Sequence, residues 1–82
     1  MASVLRIVKK EYALTNREIE IMDRISDGLL NKEIADELNP CVNTVRAHVR
    51  NILNKLGVKN RTEAANKYKD ILEKNRIFFS NK

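Results

Sequence analysis

Three residues break this chain of 82: Gly28, Pro40 and Gly57 are its only glycines and its only proline. Elsewhere no run alternates apolar and polar side chains with the period of two that a half-buried strand needs. With so few turn formers and no strand signal, the default class is all-α. The length is that of one domain with a single modest core. A domain of that size keeps only a few kcal/mol of net stability, so oligomerisation would help it.

Start and stop signals divide the chain into helices. Thr15 suits an N-cap, Glu18 three residues on closes a capping box, and Leu14 and Ile19 hold the two positions of a hydrophobic staple. Ile21, Met22 and Ile25 continue the apolar stripe to Gly28, which predicts a helix over roughly 15–27. A second, short helix opens at Asn31 as its cap. It carries Ile34, Ala35 and Leu38 on one side and stops at Asn39, because Pro40 disfavours helical geometry in the residue before it. A third runs from about Val42 to Leu56 and ends at Gly57. A fourth is announced by Asn60-Arg61-Thr62-Glu63 and continues to about Lys74. Val4 to Val8 fits either one or two further helical turns or an ordered arm. Residues 1–12 thus read as an N-terminal arm or linker, 13–75 as the folded domain and 76–82 as a C-terminal tail in which Phe78 and Phe79 are hard to place.

Charge is distributed unevenly along this frame. The net charge is +5, which favours an anionic partner. From Glu11 to Glu37 eight acids face three bases (Arg17, Arg24, Lys32). From Leu38 to Thr62 there is no acid, while Arg46, Arg50, Lys55, Lys59 and Arg61 supply five bases. Local basic character of this kind is what a nucleic-acid footprint requires, although a solvated helix face can also gather bases by chance.

The third helix separates those readings. At about 100° per residue, Val45, Val49, Ile52 and Leu56 form a narrow seam toward the core. Asn43, Ala47, Arg50, Asn51 and Asn54 lie roughly opposite, with Arg46 on one flank and His48 and Lys55 on the other. Arginine reads guanine O6 and N7, asparagine reads adenine, and a methyl-bearing alanine meets the thymine methyl. An ordinary solvated helix would interleave Glu or Asp for i,i+4 pairing. Arg46 and Arg50 are instead like charges one turn apart, a mild cost that a phosphate or guanine partner would reverse. A short helix, a tight break and a longer basic helix make a helix-turn-helix.

The residues themselves then carry a resemblance. The run Leu14-Thr15-Asn16-Arg17-Glu18-Ile19 through Met22, then Gly28, then Asn31-Lys32-Glu33-Ile34-Ala35 through Leu38, then Thr44-Val45-Arg46-Ala47-His48-Val49-Arg50 through Arg61-Thr62-Glu63-Ala64 resembles the LuxR-type domain, also called GerE- or NarL/FixJ-type. The resemblance covers roughly residues 13–75. It implies a four-helix bundle with a helix-turn-helix, with room for a short extra N-terminal helix or arm, whose third helix enters the major groove. By position Arg46, Ala47 and Arg50 would face bases, joined by Asn43 and Asn54 from the same outward surface. Thr44, Asn31, Lys32, His48, Lys55 and Arg61 would sit near phosphates or hold the recognition helix in place, and Lys59 joins the phosphate set. The fourth helix commonly makes the dimer contact in this family, which here would use Ala65, Tyr68, Lys69 and Leu72. One departure matters: where the family usually has an apolar residue and a capping Ser before the recognition helix, this chain has Pro40 and Cys41. Cysteine is a poor cap. Asn39 could cap instead with Pro40 at the first helical position, which would move the helix start by about two residues.

The expected function is sequence-specific binding of double-stranded DNA and regulation of transcription, as a homodimer on two half-sites, with RNA polymerase open as a further partner. The alternative is a module that keeps the fold but pairs with a related regulator. RNA binding lacks aromatic stacking platforms, since only Tyr12, Tyr68, Phe78 and Phe79 are available. No enzyme, cofactor or metal site is expected: there is no Gly-rich phosphate loop, no His-Glu-x-x-His and no paired-carboxylate cleft. A lone Cys41 builds neither a disulfide nor a zinc site and reads as a small semi-buried residue more readily than as a redox sensor. His48 has no nucleophile or metal ligand near it in sequence. No stretch approaches a membrane span and residues 1–11 do not read as a secretory signal, so a cytoplasmic protein is expected, and the resemblance implies a bacterial one. No small-molecule ligand is expected, because no receiver or ligand-sensing domain is legible. The chain therefore reads as a stand-alone regulator or an excised response-regulator effector domain.

Overall fold

The structure, a computed structural model, describes the backbone of residues 2–80 and the side chains of residues 6–74. It holds α1 (Ala2–Glu11), α2 (Asn16–Ser26), α3 (Asn31–Leu38), α4 (Val42–Leu56) and α5 (Arg61–Ser80), with no strand among the described residues. The all-α expectation is met by five helices. The first is the extra N-terminal helix that the sequence left open against an arm. Val8 of α1 is fully buried, and α1 packs on α5. Helix α1 thus reaches the core through Val8. Whether Phe78 and Phe79 cap that core falls outside the described side chains.

Local chemistry explains most of the boundaries. Thr15 Oγ1 accepts from the Glu18 amide at 3.1 Å and Glu18 Oε1 accepts from the Thr15 amide at 2.9 Å, so two of the four orphan donors of α2 are satisfied reciprocally. At the other end Gly28 takes φ 91°, and the Leu29 amide reaches Arg24 O at 3.0 Å while the Gly28 amide reaches Ile25 O at 3.0 Å. Gly57 repeats the motif with φ 71°, its own amide on Asn54 O and that of Val58 on Leu53 O. Both stops need a left-handed residue, which glycine supplies without a Cβ clash. Asn60 Oδ1 accepts from the Glu63 amide at 2.9 Å and so caps α5.

Two boundaries differ from the sequence reading. Asn31 is the first helical residue of α3, not its cap. The cap position falls on Leu30, whose amide donates to Glu33 Oε1 at 2.7 Å, and the Asn31 side chain is used elsewhere. The fourth of the expected helices, α5, extends in its backbone to Ser80 rather than to about Lys74; no breaker lies in that stretch.

The turn between α3 and α4 takes the first of the two forms weighed. Asn39 is left-handed (φ 75°) and its amide closes α3 on Ala35 O at 2.8 Å. Asparagine tolerates that region better than most residues. Helix α4 starts at Val42 with Cys41 at the cap position and no side-chain capping hydrogen bond.

The core gathers Ile21 and Met22 of α2, Ile34 of α3, Val45, Ile52 and Leu56 of α4, Ala64 and Tyr68 of α5, and Val8 of α1. Each fully buried aliphatic contributes about 1.5–3 kcal/mol relative to exposure. Helix α2 packs on both α4 and α5, and α3 on α4. Helix α4 thus packs against α2, α3 and α5 and keeps one side exposed.

Candidate nucleic-acid interface

Helix α4 is divided by burial as its periodicity requires. Val45, Val49, Ile52 and Leu56 are buried, whereas Asn43, Thr44, Arg46, Ala47, Arg50, Asn51 and Asn54 are exposed. Arg46 Nη1 donates to Asn43 Oδ1 at 3.1 Å along the helix surface. Among the described residues neither Arg46 nor Arg50 forms an ion pair with a carboxylate. Two nearby acids are paired elsewhere. Glu37 of α3 takes Arg24 of α2 at 2.8 Å, tying the short helix to the body, and Glu20 takes Arg17 at 3.2 Å. What remains on the open side of α4 is a surface of arginine, asparagine and alanine.

The residues expected at phosphates divide into two groups. Lys32, Thr44 and Lys59 are exposed. The Thr44 hydroxyl lies 3.2 Å from Cys41 Sγ, which, first among several contacts, holds the exposed thiol below its ordinary pKa. His48 is half-buried on the flank.

Lys55, Arg61 and Asn31, however, are bonded to other parts of the protein, Lys55 from an exposed position and the other two half-buried. Lys55 Nζ donates to Glu18 Oε1 at 2.7 Å and to Ala13 O at 3.0 Å. Arg61 donates through Nη1 to Asn31 Oδ1 at 2.7 Å and through Nη2 to Leu29 O at 2.8 Å. All three side chains expected near phosphates or in support of the third helix are thus hydrogen-bonded to the protein itself. Charge counting could not reveal this, because their acceptors lie at least 30 positions away in sequence.

The C-terminal end of α4 is held by two lysine contacts. Lys67 of α5 donates to Leu56 O at 2.7 Å, a cation on an orphan carbonyl at the negative end of the helix. The same ammonium stands 5.1 Å from the centre of the Tyr12 ring. Glu18, through Lys55, makes the second tie. Burial of Glu18 disfavours its charged form, but the hydrogen bond from Lys55, the Thr15 amide and the positive charges of Lys55 and His48 outweigh it, and the carboxyl is held below its ordinary range.

The residues expected at a dimer contact are not equivalent either. Tyr68 belongs to the core: it is buried and its hydroxyl donates to Asp23 of α2. That fixes α5 on α2 and pushes the phenol pKa upward, chiefly by desolvation and then by Asp23. Ala65 and Leu72 are half-buried and Lys69 is exposed. Ala65 and Lys69 line a shallow groove together with Leu30, which at 65% exposure is the one large apolar side chain left exposed among the described residues. Leu30 was not singled out from sequence, since a single leucine at a helix start carries no exposure signal.

Among the described residues no cluster of three or more His, Cys, Asp or Glu could hold a metal, and no helix is long and apolar enough to cross a membrane. A profile of the bacterial regulatory proteins of the luxR family matches residues 12–68, from the turn before α2 to Tyr68. The chain belongs to that luxR family. It is 51% identical over 53 residues to the transcriptional regulatory protein LiaR of Bacillus subtilis, covering 65% of this chain and 25% of the relative. It is 52% identical over 52 residues to LnrK of the same organism, covering 63% and 24%. It is 45% identical over 51 residues to the nitrate/nitrite response regulator NarP of Escherichia coli, covering 62% and 24%. The chain therefore matches about a quarter of the length of these regulators. Membership in the luxR family makes it a DNA-binding, transcription-regulating domain of a family that is not enzymatic.

Proposed function

We propose that this luxR-family domain reads double-stranded DNA in a sequence-specific manner with α4 in the major groove. Arg46, Ala47 and Arg50 face base edges there, with Asn43 and Asn54 at the ends of the same surface. Lys32, Thr44, Lys59 and His48 meet the flanking phosphates, and Asn31 lies beside them at the start of α3. The observation that carries this reading is the acid-free open side of α4, whose two arginines are left without a carboxylate among the described residues. Arginine forks without an internal anion suit bidentate recognition of guanine.

The domain acts as a homodimer on two half-sites about one helical turn apart. The pairing surface is the open side of α5, with Ala65, Lys69 and Leu72; the exposed Leu30 at the groove beside it supports that choice. The same exposed leucine also favours a second reading, in which the groove takes a related regulator and DNA is not read by this chain.

Selection of binding sites from random duplex DNA tests the first reading. It expects recovery of a two-fold related pair of half-sites, and a shift of random duplex at low salt that fades as salt rises. No shift at low salt would favour the partner-binding module.

A further inference from the structure

Glu18 is the one charged side chain that lies in the core among the described residues, at 4% exposure. A buried carboxylate is costly unless it is paired and hydrogen-bonded, and Glu18 has both: the Thr15 amide at 2.9 Å and Lys55 Nζ at 2.7 Å meet the same oxygen. Lys55 spends a second donor on Ala13 O at 3.0 Å. Ala13 is itself unusual, an alanine at φ 59° in the turn between α1 and α2, a conformation that L-residues rarely adopt. One ammonium therefore gathers the start of α2, a strained turn and the last turns of α4. On a helical wheel Lys55 stands about 180° from Arg46 and about 140° from Arg50. It grips the body from the side opposite the arginines.

We propose that Glu18 and Lys55 are positioning residues for DNA reading: Glu18, acting through Lys55, sets where the C-terminal half of α4 sits, and Lys55 neutralises no phosphate. The inference rests on the DNA-reading role proposed above and deepens it. Arg50 and Asn54 lie in the half of the helix that the pair holds, so a shift there misaligns base contacts while leaving the rim cations in place. Sequence preference then depends on a pair that never touches DNA.

The test uses the whole chain and two variants, Lys55→Met, which keeps the alkyl stem, and Glu18→Gln, which keeps the shape and an acceptor. Each is measured at a temperature where circular dichroism shows it folded. The readouts are the slope of log affinity against log salt on random duplex, and the ratio of affinities for the selected site and random duplex. Lys55→Met is expected to leave the slope unchanged, where loss of a phosphate contact would lower it by about 0.9 per protomer. Both variants are expected to lower the ratio about tenfold, the scale of one weakened bidentate base contact. For Glu18→Gln this loss comes although net positive charge rises, which by itself strengthens binding to any polyanion. The double variant should lose no more than either single one, as expected of residues acting as a unit. A lowered slope with uniform weakening in Lys55→Met, or an unchanged ratio in Glu18→Gln, would overturn the positioning role while leaving the DNA-reading role standing. A wild-type protein with no site preference would overturn the DNA-reading role itself, and the positioning role with it.

Discussion

The guanidinium of Arg61, the first residue of α5, donates to Asn31 Oδ1 at 2.7 Å and to Leu29 O at 2.8 Å, so one side chain fastens the start of α5 to the turn that launches α3. Arg61→Ala should lose about 1–3 kcal/mol of stability, since charge-assisted bonds of this kind are removed together. Arg61→Lys should not restore it, because an ammonium cannot reproduce the fork. Thermal melting of the two variants checks this; a lysine variant as stable as wild type would show the fork to be dispensable.

Tyr68 joins packing and hydrogen bonding at the α2–α5 contact. Tyr68→Phe keeps the ring and loses only the bond to Asp23, which should cost about 1–2 kcal/mol. Tyr68→Ala adds a cavity and should cost about 3–5 kcal/mol, a large part of what a small domain has. Urea titration distinguishes the two, and equal losses would mean that the hydroxyl carries the contact alone.

The raised phenol pKa of Tyr68 has a consequence at alkaline pH. The neutral phenol is favoured in the folded state, so its contribution is intact below the ordinary value of 10.0 and is lost as pH climbs from there toward the folded value. Stability should fall above about pH 10, and less steeply in Tyr68→Phe. Melting temperatures across that range provide the check.

Glu18 works in the opposite direction. Its carboxyl is held below the ordinary 4.5, so its contribution is present above that value and disappears as pH falls through the folded pKa. Wild type should therefore lose stability below about pH 4.5 more steeply than Glu18→Gln. Parallel acid limbs for the two proteins would count against the pairing with Lys55.

At the start of α4 the cap position is occupied by Cys41, which gives no side-chain capping bond. Cys41→Ser places a good acceptor where the orphan amides need one and should raise the melting temperature by a few degrees. No change would mean that Thr44, whose hydroxyl already meets the thiol, leaves no room for the cap.

Features set by neighbours in sequence were legible before the fold was known. The Thr15–Glu18 box, the Asn60 cap of α5 and the stops at Gly28 and Gly57 each depend on partners within about five residues, and each is found in the structure. Periodicity likewise placed Val45, Val49, Ile52 and Leu56 inside. Contacts between distant segments were not legible. Lys55 reads as one more base in an acid-free stretch until Glu18, 37 positions earlier, comes beside it. Tyr68 reads as part of a broad apolar arc, and only the approach of Asp23 from 45 positions away decides that it points inward. Asn31 resembles a cap because asparagine often is one, yet here Arg61 claims its oxygen.

The central claim is that Arg46 and Arg50 read bases from the open side of α4. The most direct measurement is the affinity of wild type, Arg46→Ala and Arg50→Ala for the selected site and for single-base variants of it, at fixed salt. Each alanine variant should lose about 1–3 kcal/mol on the selected site and relax the preference at one base pair of each half-site. Unchanged affinity and unchanged preference in both variants would contradict the account.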